Sequence, residues 1–253
     1  MLKILAARFQ QGFRTIGFPD KPPTIPDRLR GLPVIRPDQC RQSCQLCADV
    51  CPTGAIIPGV NGQKLQIDLG RCLFCGACAE VCQTGAVSFS NDPRLAVRQR
   101  EDLVVGGSGI KLAKELDCKM FGRSIQFRQV SAGGCNGCEV DINVLTTVVF
   151  DLSRFGIKIV ASPRHSDGLL ITGPVTSNMK SATLDTYEAV PTPRLVVAVG
   201  TCAISGGIFR DHAEQNNGAT ELLPVDLFIP GCPPHPITIL DGLLRLIGKI
   251  KEP

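Results

Sequence analysis

The chain has 253 residues, of which 43% are hydrophobic, and its formal net charge is +4. That length allows one or two domains with a sizeable core. No long basic run is interleaved with aromatic residues, so the sequence gives no support for nucleic-acid binding. Thirteen residues are cysteine. In a reducing compartment, clustered cysteines more often bind metal or do redox work than form disulfides.

The first 37 residues precede the cysteines and contain two different segments. Residues 1–13 predict a short basic amphipathic helix, which is either locally packed or lies on a membrane surface or membrane subunit. Its apolar residues are Leu2, Ile4, Leu5, Phe9 and Phe13. The Pro-rich residues 17–37 predict an extended arm laid over a surface. We expect no secretory signal, and no apolar stretch reaches the roughly 18 residues that span a bilayer.

Residues 38–89 contain one motif twice. The strings CQLCADVCPTGAI and CGACAEVCQTGAV align, with Cys47 matching Cys78 and Cys51 matching Cys82. Such a duplication predicts two pseudo-symmetric halves. The region is too small and too poor in large apolar residues to form an ordinary core. Something other than side chains is therefore expected to fill its centre.

The cysteine spacing in these motifs is typical of a bacterial two-cluster ferredoxin, where three thiolates bind one cluster and the fourth binds the other. The duplication then predicts two crossed sets of ligands. We call them the first ferredoxin set (Cys40, Cys44, Cys47 and Cys82) and the second ferredoxin set (Cys51, Cys72, Cys75 and Cys78). Zinc is the alternative, but zinc sites usually use two separated C-x-x-C pairs. Three residues instead of two separate Cys40 from Cys44, which leaves open whether Cys40 is a ligand.

The remainder of the chain predicts alternating strands and helices after a polar, partly helical connector at about 91–119. Apolar, β-branched runs predict strands at 124–130, 157–161, 168–172, 194–199 and 225–229. Helices are predicted at 138–150, 177–189 and 236–249. This alternation is typical of a parallel sheet covered on both faces.

Four more cysteines follow strands of this predicted sheet. We call them the dispersed set: Cys135, Cys138, Cys202 and Cys232. Because the carboxyl ends of parallel strands meet at one edge of a sheet, these thiols are expected to converge there and to hold a third cluster. The alternative, four unrelated buried cysteines, fits poorly with their matching positions at strand ends.

Other polar residues are expected at the same edge. Arg164 and His165 follow the second predicted strand, where they can stabilise a reduced cluster or couple its reduction to a proton. An ordinary solvated pair at a strand end is an equal alternative. Glu139 begins a helix, and we favour a role in stabilising the helix dipole over one as a proton relay. The remaining candidates have no partner at a functional spacing: Cys118, His212 and His235.

At this point two resemblances to known families become visible. The second half resembles the small subunit of energy-converting, membrane-bound [NiFe]-hydrogenases of the formate hydrogenlyase type (group 4), which is related to the 20 kDa subunit of complex I. The strings that carry it are AGGCNGCEVDINVL, RFGIKIVASPRHSDGLLITGPVT, GTCAISGGIF and PVDLFIPGCPPHP. The first hundred residues resemble the two-cluster ferredoxin subunit of the same complexes, through IDLGRCLFCGACAEVC and the Pro-rich arm. The chain therefore resembles a fusion of two neighbouring subunits.

Pattern and resemblance together predict the architecture. An α+β two-cluster bacterial ferredoxin domain is followed by an α/β domain with a parallel, flavodoxin-like sheet. The expected divisions are an amphipathic helix and arm at 1–37, the ferredoxin domain at 38–105, a connector at 106–122 and the α/β domain at 123–253.

The resemblance also implies an oxidoreductase subunit with three [4Fe–4S] clusters. In such complexes the dispersed set binds the proximal cluster beside the nickel–iron centre of a large subunit, itself related to the 49 kDa subunit of complex I. The catalytic metal is then expected on that partner. The other partners implied are membrane subunits and a soluble electron donor or acceptor such as formate dehydrogenase or ferredoxin. The expected location is peripheral, on the cytoplasmic side of the cell membrane.

Two other functions are open. One is the equivalent subunit of a complex I-like quinone reductase, or of a hydrogenase-related complex without nickel. In the quinone-reducing relatives the two cysteines are typically adjacent, whereas Asn136 and Gly137 separate Cys135 from Cys138 here, which favours the hydrogenase. The other is a carrier that acts alone or a structural zinc protein. The dispersed set argues against it, because a sheet edge that carries a cluster needs a partner to cover it.

Overall fold

A computed structural model describes residues 2–41, 43–59, 64–116 and 124–250 of the protein. The predicted N-terminal helix is present as α1 (Leu2–Gln11), and none of its residues is buried. An extended segment follows it, as the proline content predicts. The isolated Cys118 lies outside the described residues.

The ferredoxin part consists of short elements around two small sheets. They are β1 (Pro33–Ile35), α2 (Leu46–Asp49), β2 (Ile56–Ile57), β3 (Gln66–Asp68), α3 (Ala77–Val81), β4 (Val87–Phe89) and β5 (Val104–Val105). β1 pairs with β4, and β3 pairs with both β2 and β5, all antiparallel. Cys47 in α2 and Cys78 in α3 occupy equivalent places in the two halves, and both are buried. The expected pseudo-symmetry is therefore visible in the backbone.

The second part is built on a parallel sheet of five strands. Its elements are β6 (Ile125–Ser131), α4 (Gly137–Val144), β7 (Ile157–Ile159), β8 (Gly168–Thr172), α5 (Ser177–Glu188), β9 (Leu195–Val199), α6 (Thr201–Ser205), β10 (Leu227–Ile229) and α7 (Pro236–Leu246). The strands lie in the order β7-β6-β8-β9-β10, and all neighbouring pairs are parallel. This is the flavodoxin-like order, whose switch point lies between the first and third strands in sequence, here β6 and β8. The predicted fold class is confirmed.

The core of this part explains why β8 and β9 read as continuous apolar runs. Every residue of both strands is buried, as expected where helices cover both faces of a parallel sheet. All residues of α7 are buried too, and its apolar side chains pack with Phe127 and Leu170 of the sheet. Within the described residues, no helix is long and apolar enough to cross a membrane.

The helix predicted at 138–150 is shorter than expected. α4 ends at Val144, and the hydroxyls of Thr146 and Thr147 donate to carbonyl oxygens three residues back. The run Thr146–Val149 consists of β-branched residues, which lose side-chain freedom in a helix. Threonine hydroxyls also offer the backbone local hydrogen bonds that compete with helical ones. Both effects favour ending the helix early.

The prediction of a polar connector at 91–119 is partly wrong. Leu95, Ala96 and Val97 are buried, and Val97 exchanges two backbone hydrogen bonds with Phe228 of β10. The segment also supplies β5 to the ferredoxin sheet. Likewise β1, which lies within the predicted arm, pairs with β4. Short apolar triplets such as PVI and LAV are too brief for periodicity to predict their burial. In the structure, each of them pairs with the backbone of another strand.

The two parts share a hydrophobic core. The buried ferredoxin residues Leu69 and Leu103 belong to the same cluster as Ala203, Ile204 and Phe228 of the second part. Removing these side chains from water favours the joined arrangement over separated domains. The ferredoxin part is therefore packed directly on the sheet that carries the dispersed set.

Candidate iron–sulfur sites

The four cysteines of the first ferredoxin set line one cavity. Its other walls are mainly apolar and include Leu65, Val81 and Val87. Cys40 lines this cavity with the other three, so the extra residue before Cys44 does not remove it from the site. The left-handed residues Ser43 and Phe74 precede Cys44 and Cys75, so the two loops have the same conformation at this point.

The four cysteines of the second ferredoxin set line another cavity. Pro52, Ile56, Leu73 and Phe89 form part of its apolar wall. Cys72 and Cys78 are buried and Cys51 is half-buried, whereas Cys75 is exposed. The sequence reasoning grouped the cysteines in the same way, with the last cysteine of each run directed to the other half.

Polar hydrogens point at several of these sulfur atoms. The amides of Ala55 and Phe74 donate to Cys51 Sγ and Cys72 Sγ, at 3.2 and 3.3 Å. The hydroxyl of Thr84 lies 3.6 Å from Cys82 Sγ. That of Thr53 lies 3.9 Å from Cys51 Sγ, but it donates to the Arg71 carbonyl oxygen at 2.7 Å. Sequence reasoning missed these threonines. Their signal was the string TGA, which follows the last cysteine of both runs by one residue.

Burial raises the pKa of several of these thiols in the free protein, namely Cys40, Cys47, Cys72 and Cys78. It raises the pKa of Cys72 to about 12 and that of Cys78 to about 11, and neighbouring cysteines add to both. Burial acts on Cys82 in the same direction. There it is outweighed by hydrogen bonds from the Thr84 hydroxyl and nearby amides, so its pKa is lowered. A bound metal overcomes the burial penalty, because a coordinating thiol is deprotonated outright.

The separation of the side chains distinguishes a cluster from a single ion. In the described residues, no three His, Cys, Asp or Glu side chains are grouped so that they can hold one metal ion. A structural zinc site needs four ligands within about 2.3 Å of one point. Four thiolates around one cavity fit an iron–sulfur cluster, which takes one thiolate at each iron. The donor set of each cavity therefore fits a cluster.

The dispersed set converges at the carboxyl edge of the parallel sheet. Cys135 and Cys138 follow β6, Cys202 lies in α6 directly after β9, and Cys232 follows β10. Burial raises the pKa of Cys138, and the charges of Cys202, Cys232 and Cys135 raise it further. Burial also raises the pKa of Cys202 to about 11, again with help from Cys232 and Cys135. The four sulfurs therefore act on one another at a common site.

Two glycines allow the backbone to approach these sulfurs. A Cβ atom on Gly200 would collide with Cys138 Sγ, and one on Gly207 would lie 2.7 Å from Cys202 Sγ. Both residues have positive φ, at 89° and 58°. Glycine adopts such conformations at no steric cost. These two positions therefore require glycine for both space and conformation.

The dispersed set is open to solvent on one side. Cys135 and Cys232 are exposed, in contrast to the half-buried Cys138 and Cys202. In the segments that follow Cys138 and Cys202, large apolar side chains are also exposed, namely Val140, Ile208 and Phe209. Contiguous exposed apolar surface commonly marks an interaction site.

Glu139 lies at the switch point between β6 and β8. It is buried, and its Oε1 accepts hydrogen bonds from Ser131 Oγ and Thr172 Oγ1, both at 2.7 Å. Ser131 and Thr172 are paired at the ends of the two strands. Its carboxylate also raises the pKa of Cys138 and Cys202. Glu139 does lie in the first turn of α4, as predicted, but burial makes it an electrostatic neighbour of the dispersed set as well.

The remaining candidates are not part of this arrangement. Arg164 and His165 lie in a short 3-10 helix after the edge strand β7, and both are exposed. Neither side chain forms a hydrogen bond or ion pair among the described residues, so their predicted role stays a prediction. His235 instead caps α7, because its Nδ1 accepts from the Ile237 amide. His212 Nδ1 accepts from the Glu214 amide in the same way.

Comparison with known proteins agrees with this division of the chain. The family described as NADH ubiquinone oxidoreductase, 20 Kd subunit, matches residues 135–246, which contain the whole dispersed set. The chain belongs to this family. A second family, described as 4Fe-4S dicluster domain, matches residues 39–87, which contain both ferredoxin sets. A dicluster ferredoxin domain is thus joined to a member of the 20 kDa subunit family, as the resemblance implied.

Members of the family from several organisms are similar to this chain. It is 42% identical to the probable membrane-bound hydrogenase subunit mbhJ of Pyrococcus furiosus, over 53% of this chain and 81% of that protein. It is 43% identical to formate hydrogenlyase subunit 7 of Escherichia coli, over 53% of this chain and about half (52%) of that protein. It is 36% identical to an NADH-quinone oxidoreductase subunit of Bacteroides thetaiotaomicron, over 60% of this chain and 77% of that protein. All three are subunits of oxidoreductases.

Proposed function

We propose that this chain is the electron-transfer subunit of a membrane-bound [NiFe]-hydrogenase complex. It connects a soluble donor or acceptor, such as ferredoxin or a formate dehydrogenase, to a large subunit that carries the nickel–iron site. That site either reduces protons or oxidises hydrogen. In this proposal the chain supplies the route for electrons and the partner supplies the catalytic metal.

The observation that carries the proposal is the adjacency of the second ferredoxin set and the dispersed set. Burial and the charge of Cys135 raise the pKa of Cys232, and the charge of Cys75 raises it further. Cys75 and Cys232 belong to different sets, so the two sets lie within electrostatic reach of each other. Both residues are exposed, and the two parts that carry them share a core. A series of redox groups that acts as a relay needs such short separations.

Three [4Fe–4S] clusters would be held by the three cysteine sets, with the first and second ferredoxin sets crossed and the dispersed set binding the proximal one. Such clusters supply one-electron transfer, at potentials set by hydrogen bonds to sulfur, charge and solvent exposure. The protein contributes the donors at Cys51, Cys72 and Cys82 and the buried carboxylate of Glu139. Arg164 and His165 are proposed as residues that modulate the proximal cluster from the end of β7.

The open side of the dispersed set is proposed as the face covered by the large subunit. Cys135 and Cys232 are exposed on it, and the segments that follow Cys138 and Cys202 expose the apolar side chains of Val140, Ile208 and Phe209. Covering it removes apolar surface from water, which stabilises a permanent complex. It also excludes solvent from the cluster, which helps to set the potential.

Peripheral attachment at the cytoplasmic side of the membrane is part of the proposal, and α1 supports the attachment itself. Its apolar residues Leu2, Ile4 and Phe9 are exposed, and the first acidic residue in the chain is Asp20. A basic amphipathic helix with this composition binds at the interface of anionic lipid bilayers. Membrane subunits of the complex would provide the remaining attachment.

A second function, in a complex I-like quinone reductase or a related complex without nickel, is favoured by the similarity to the NADH-quinone oxidoreductase protein of Bacteroides thetaiotaomicron. Asn136 and Gly137 favour the hydrogenase, since they separate Cys135 from Cys138 as the resemblance to hydrogenases implies. Hydrogen-dependent reduction of the assembled complex discriminates between the two functions. Only the hydrogenase reduces its clusters with hydrogen.

The test is iron analysis and EPR spectroscopy of the full chain, purified without oxygen. We expect about twelve iron atoms in three clusters, four for each set of cysteines. Cys232→Ser should remove one cluster, leave the ferredoxin pair reducible and abolish hydrogen-dependent reduction in the complex with the large subunit. Cys118→Ser is the matched control and should change neither property. Stoichiometric zinc, or a wild-type chain with two clusters, would contradict the proposal.

A further inference from the structure

Thr201 makes contacts that connect the two cysteine sets. It is the first residue of α6 and its exposed fraction is 1%. Its Oγ1 donates to the carbonyl oxygen of Cys72 at 2.8 Å and lies 3.1 Å from that of Gly231. Its backbone amide donates to the same Gly231 oxygen at 2.9 Å. One buried side chain therefore joins a ferredoxin loop to two loops of the parallel sheet.

The residues it touches are ligands or neighbours of ligands in both sets. Cys72 belongs to the second ferredoxin set, whereas Cys202 follows Thr201 directly and Cys232 follows Gly231. A bonded route between the sets runs from Cys72 through one hydrogen bond to Thr201, and then along the chain to Cys202. Covalent and hydrogen bonds couple redox groups more strongly than gaps of the same length do.

Ser205 makes a comparable contact without this connection. It lies one turn later in α6 and donates to the carbonyl oxygen of Gly70 at 2.7 Å. Gly70 is not next to a cysteine ligand, and neither is Ser205 itself. Thr201 and Ser205 thus fasten the same loop with hydrogen bonds of the same type, but only Thr201 links ligand segments.

We infer that Thr201 is a positioning residue that fixes the separation of the second ferredoxin set from the dispersed set and provides the hydrogen-bonded link between them. The inference rests on the proposed function, because both sets are taken to hold clusters. The hydroxyl is the decisive group, since it is the part of Thr201 that reaches across the boundary between the two parts. Without it the Cys72 carbonyl loses a buried partner, and that segment relaxes away from α6.

The test compares Thr201→Ala with Thr201→Ser in the full chain. Both variants lose the same methyl group, and only serine keeps the hydroxyl. With both sets reduced, the magnetic interaction between their clusters is measured by EPR, because it falls steeply with separation. Hydrogen–deuterium exchange of residues 70–75 is measured on the same samples. Ser205→Ala is the matched control, since it removes the neighbouring hydrogen bond to the same loop.

We expect Thr201→Ala to weaken the interaction severalfold and to speed exchange in the loop. Thr201→Ser should retain the wild-type magnetic interaction. Ser205→Ala should speed exchange in the loop but leave the magnetic interaction between the clusters unchanged. Equal effects of Thr201→Ala and Ser205→Ala on the magnetic interaction would overturn the inference, as would wild-type behaviour of Thr201→Ala. If Thr201→Ala assembles no clusters, Thr201→Val, which keeps the side-chain size, decides in its place. Failure of the proposed function would give a different result from failure of this inference. In that case the wild-type protein itself would lack the EPR signal of one of the two interacting clusters.

Discussion

The Asp68 carboxylate accepts hydrogen bonds from both terminal nitrogens of Arg100, at 2.8 and 2.7 Å. Only 9% of the Asp68 side chain and 23% of the Arg100 side chain are exposed. The same carboxylate accepts from the Gly70 amide at 2.9 Å. One buried acid thereby holds a strand end, a 3-10 helix and the turn that leads into Cys72. This pair supports the loop that Thr201 and Ser205 fasten from the other side.

Asp68→Asn should destabilise the protein strongly, because it leaves the largely buried guanidinium of Arg100 without its ionised partner. We expect the free energy of unfolding to fall by about 3–5 kcal/mol. Asp102→Asn is the control, since Asp102 pairs with Lys111, whose side chain is 68% exposed. Such surface pairs contribute about 0–1 kcal/mol. Denaturant unfolding under anaerobic conditions measures both, and equal losses in the two variants would contradict a role for the buried pair.

The sequence was sufficient for those parts of the sites that depend on local spacing. Runs of cysteines two residues apart determine loop geometry by themselves, and apolar runs followed by Gly-Cys motifs predicted which strand ends meet. Thr53 and Thr84 were within reach of the same reasoning, since the duplication repeats them.

Contacts between the two parts could not be predicted in this way. Val97 pairs with Phe228, 131 positions away, and the Thr201 hydroxyl meets Cys72, 129 positions away. Neither residue differs in type from many others in the chain. Their roles arise only when the two parts pack against each other. The shapes of the packed surfaces are not visible in any local sequence pattern. The buried state of Glu139 has the same origin, since it depends on the pairing of β6 with β8.

Thr84→Val should lower the reduction potential of the cluster proposed for the first ferredoxin set. A hydroxyl that donates to a ligating sulfur favours the reduced, more negative state, so removing it disfavours reduction. We expect a fall of roughly 20–60 mV, since about 59 mV corresponds to a tenfold change for one electron. EPR-monitored redox titration measures it. Thr53→Val is the control at the duplicated position, because the Thr53 hydroxyl donates to the Arg71 carbonyl oxygen and not to a sulfur atom. It should leave the potential of the first ferredoxin set unchanged, and an equal fall of that potential in both variants would contradict the assignment.

Glu139→Gln should raise the reduction potential of the cluster proposed for the dispersed set. The carboxylate raises the pKa of Cys138 and Cys202, and the same negative charge disfavours an added electron. Glutamine keeps an oxygen acceptor for Ser131 and Thr172, so the fold should be maintained. We expect a rise on the order of 50 mV, about 1 kcal/mol, for a charge at an effective dielectric of about 20.

The control for this substitution is Glu188→Gln, which changes an exposed acid at the far end of α5. Because α5 runs from the carboxyl edge of the sheet back toward the opposite edge, its charge lies far from the dispersed set and should not affect the potential. Redox titration of Glu139→Gln and Glu188→Gln should show a raised potential for the dispersed set in the first variant only. An unchanged potential in Glu139→Gln would show that the carboxylate only supports α4 and the strand ends.

Attachment of α1 to a lipid surface gives the last prediction. Phe9 is 90% exposed, and burying a side chain of this size at an interface contributes about 1.5–3 kcal/mol. Phe9→Glu should therefore weaken binding to vesicles at least about tenfold, since 1.4 kcal/mol corresponds to that factor. Sedimentation of the full chain with vesicles that contain anionic phosphatidylglycerol measures it. Ile57→Glu is the control, because Ile57 is an exposed apolar residue of the ferredoxin part and should leave binding unchanged. Equal binding of wild type and Phe9→Glu would show that the apolar side of α1 does not attach the chain to lipid.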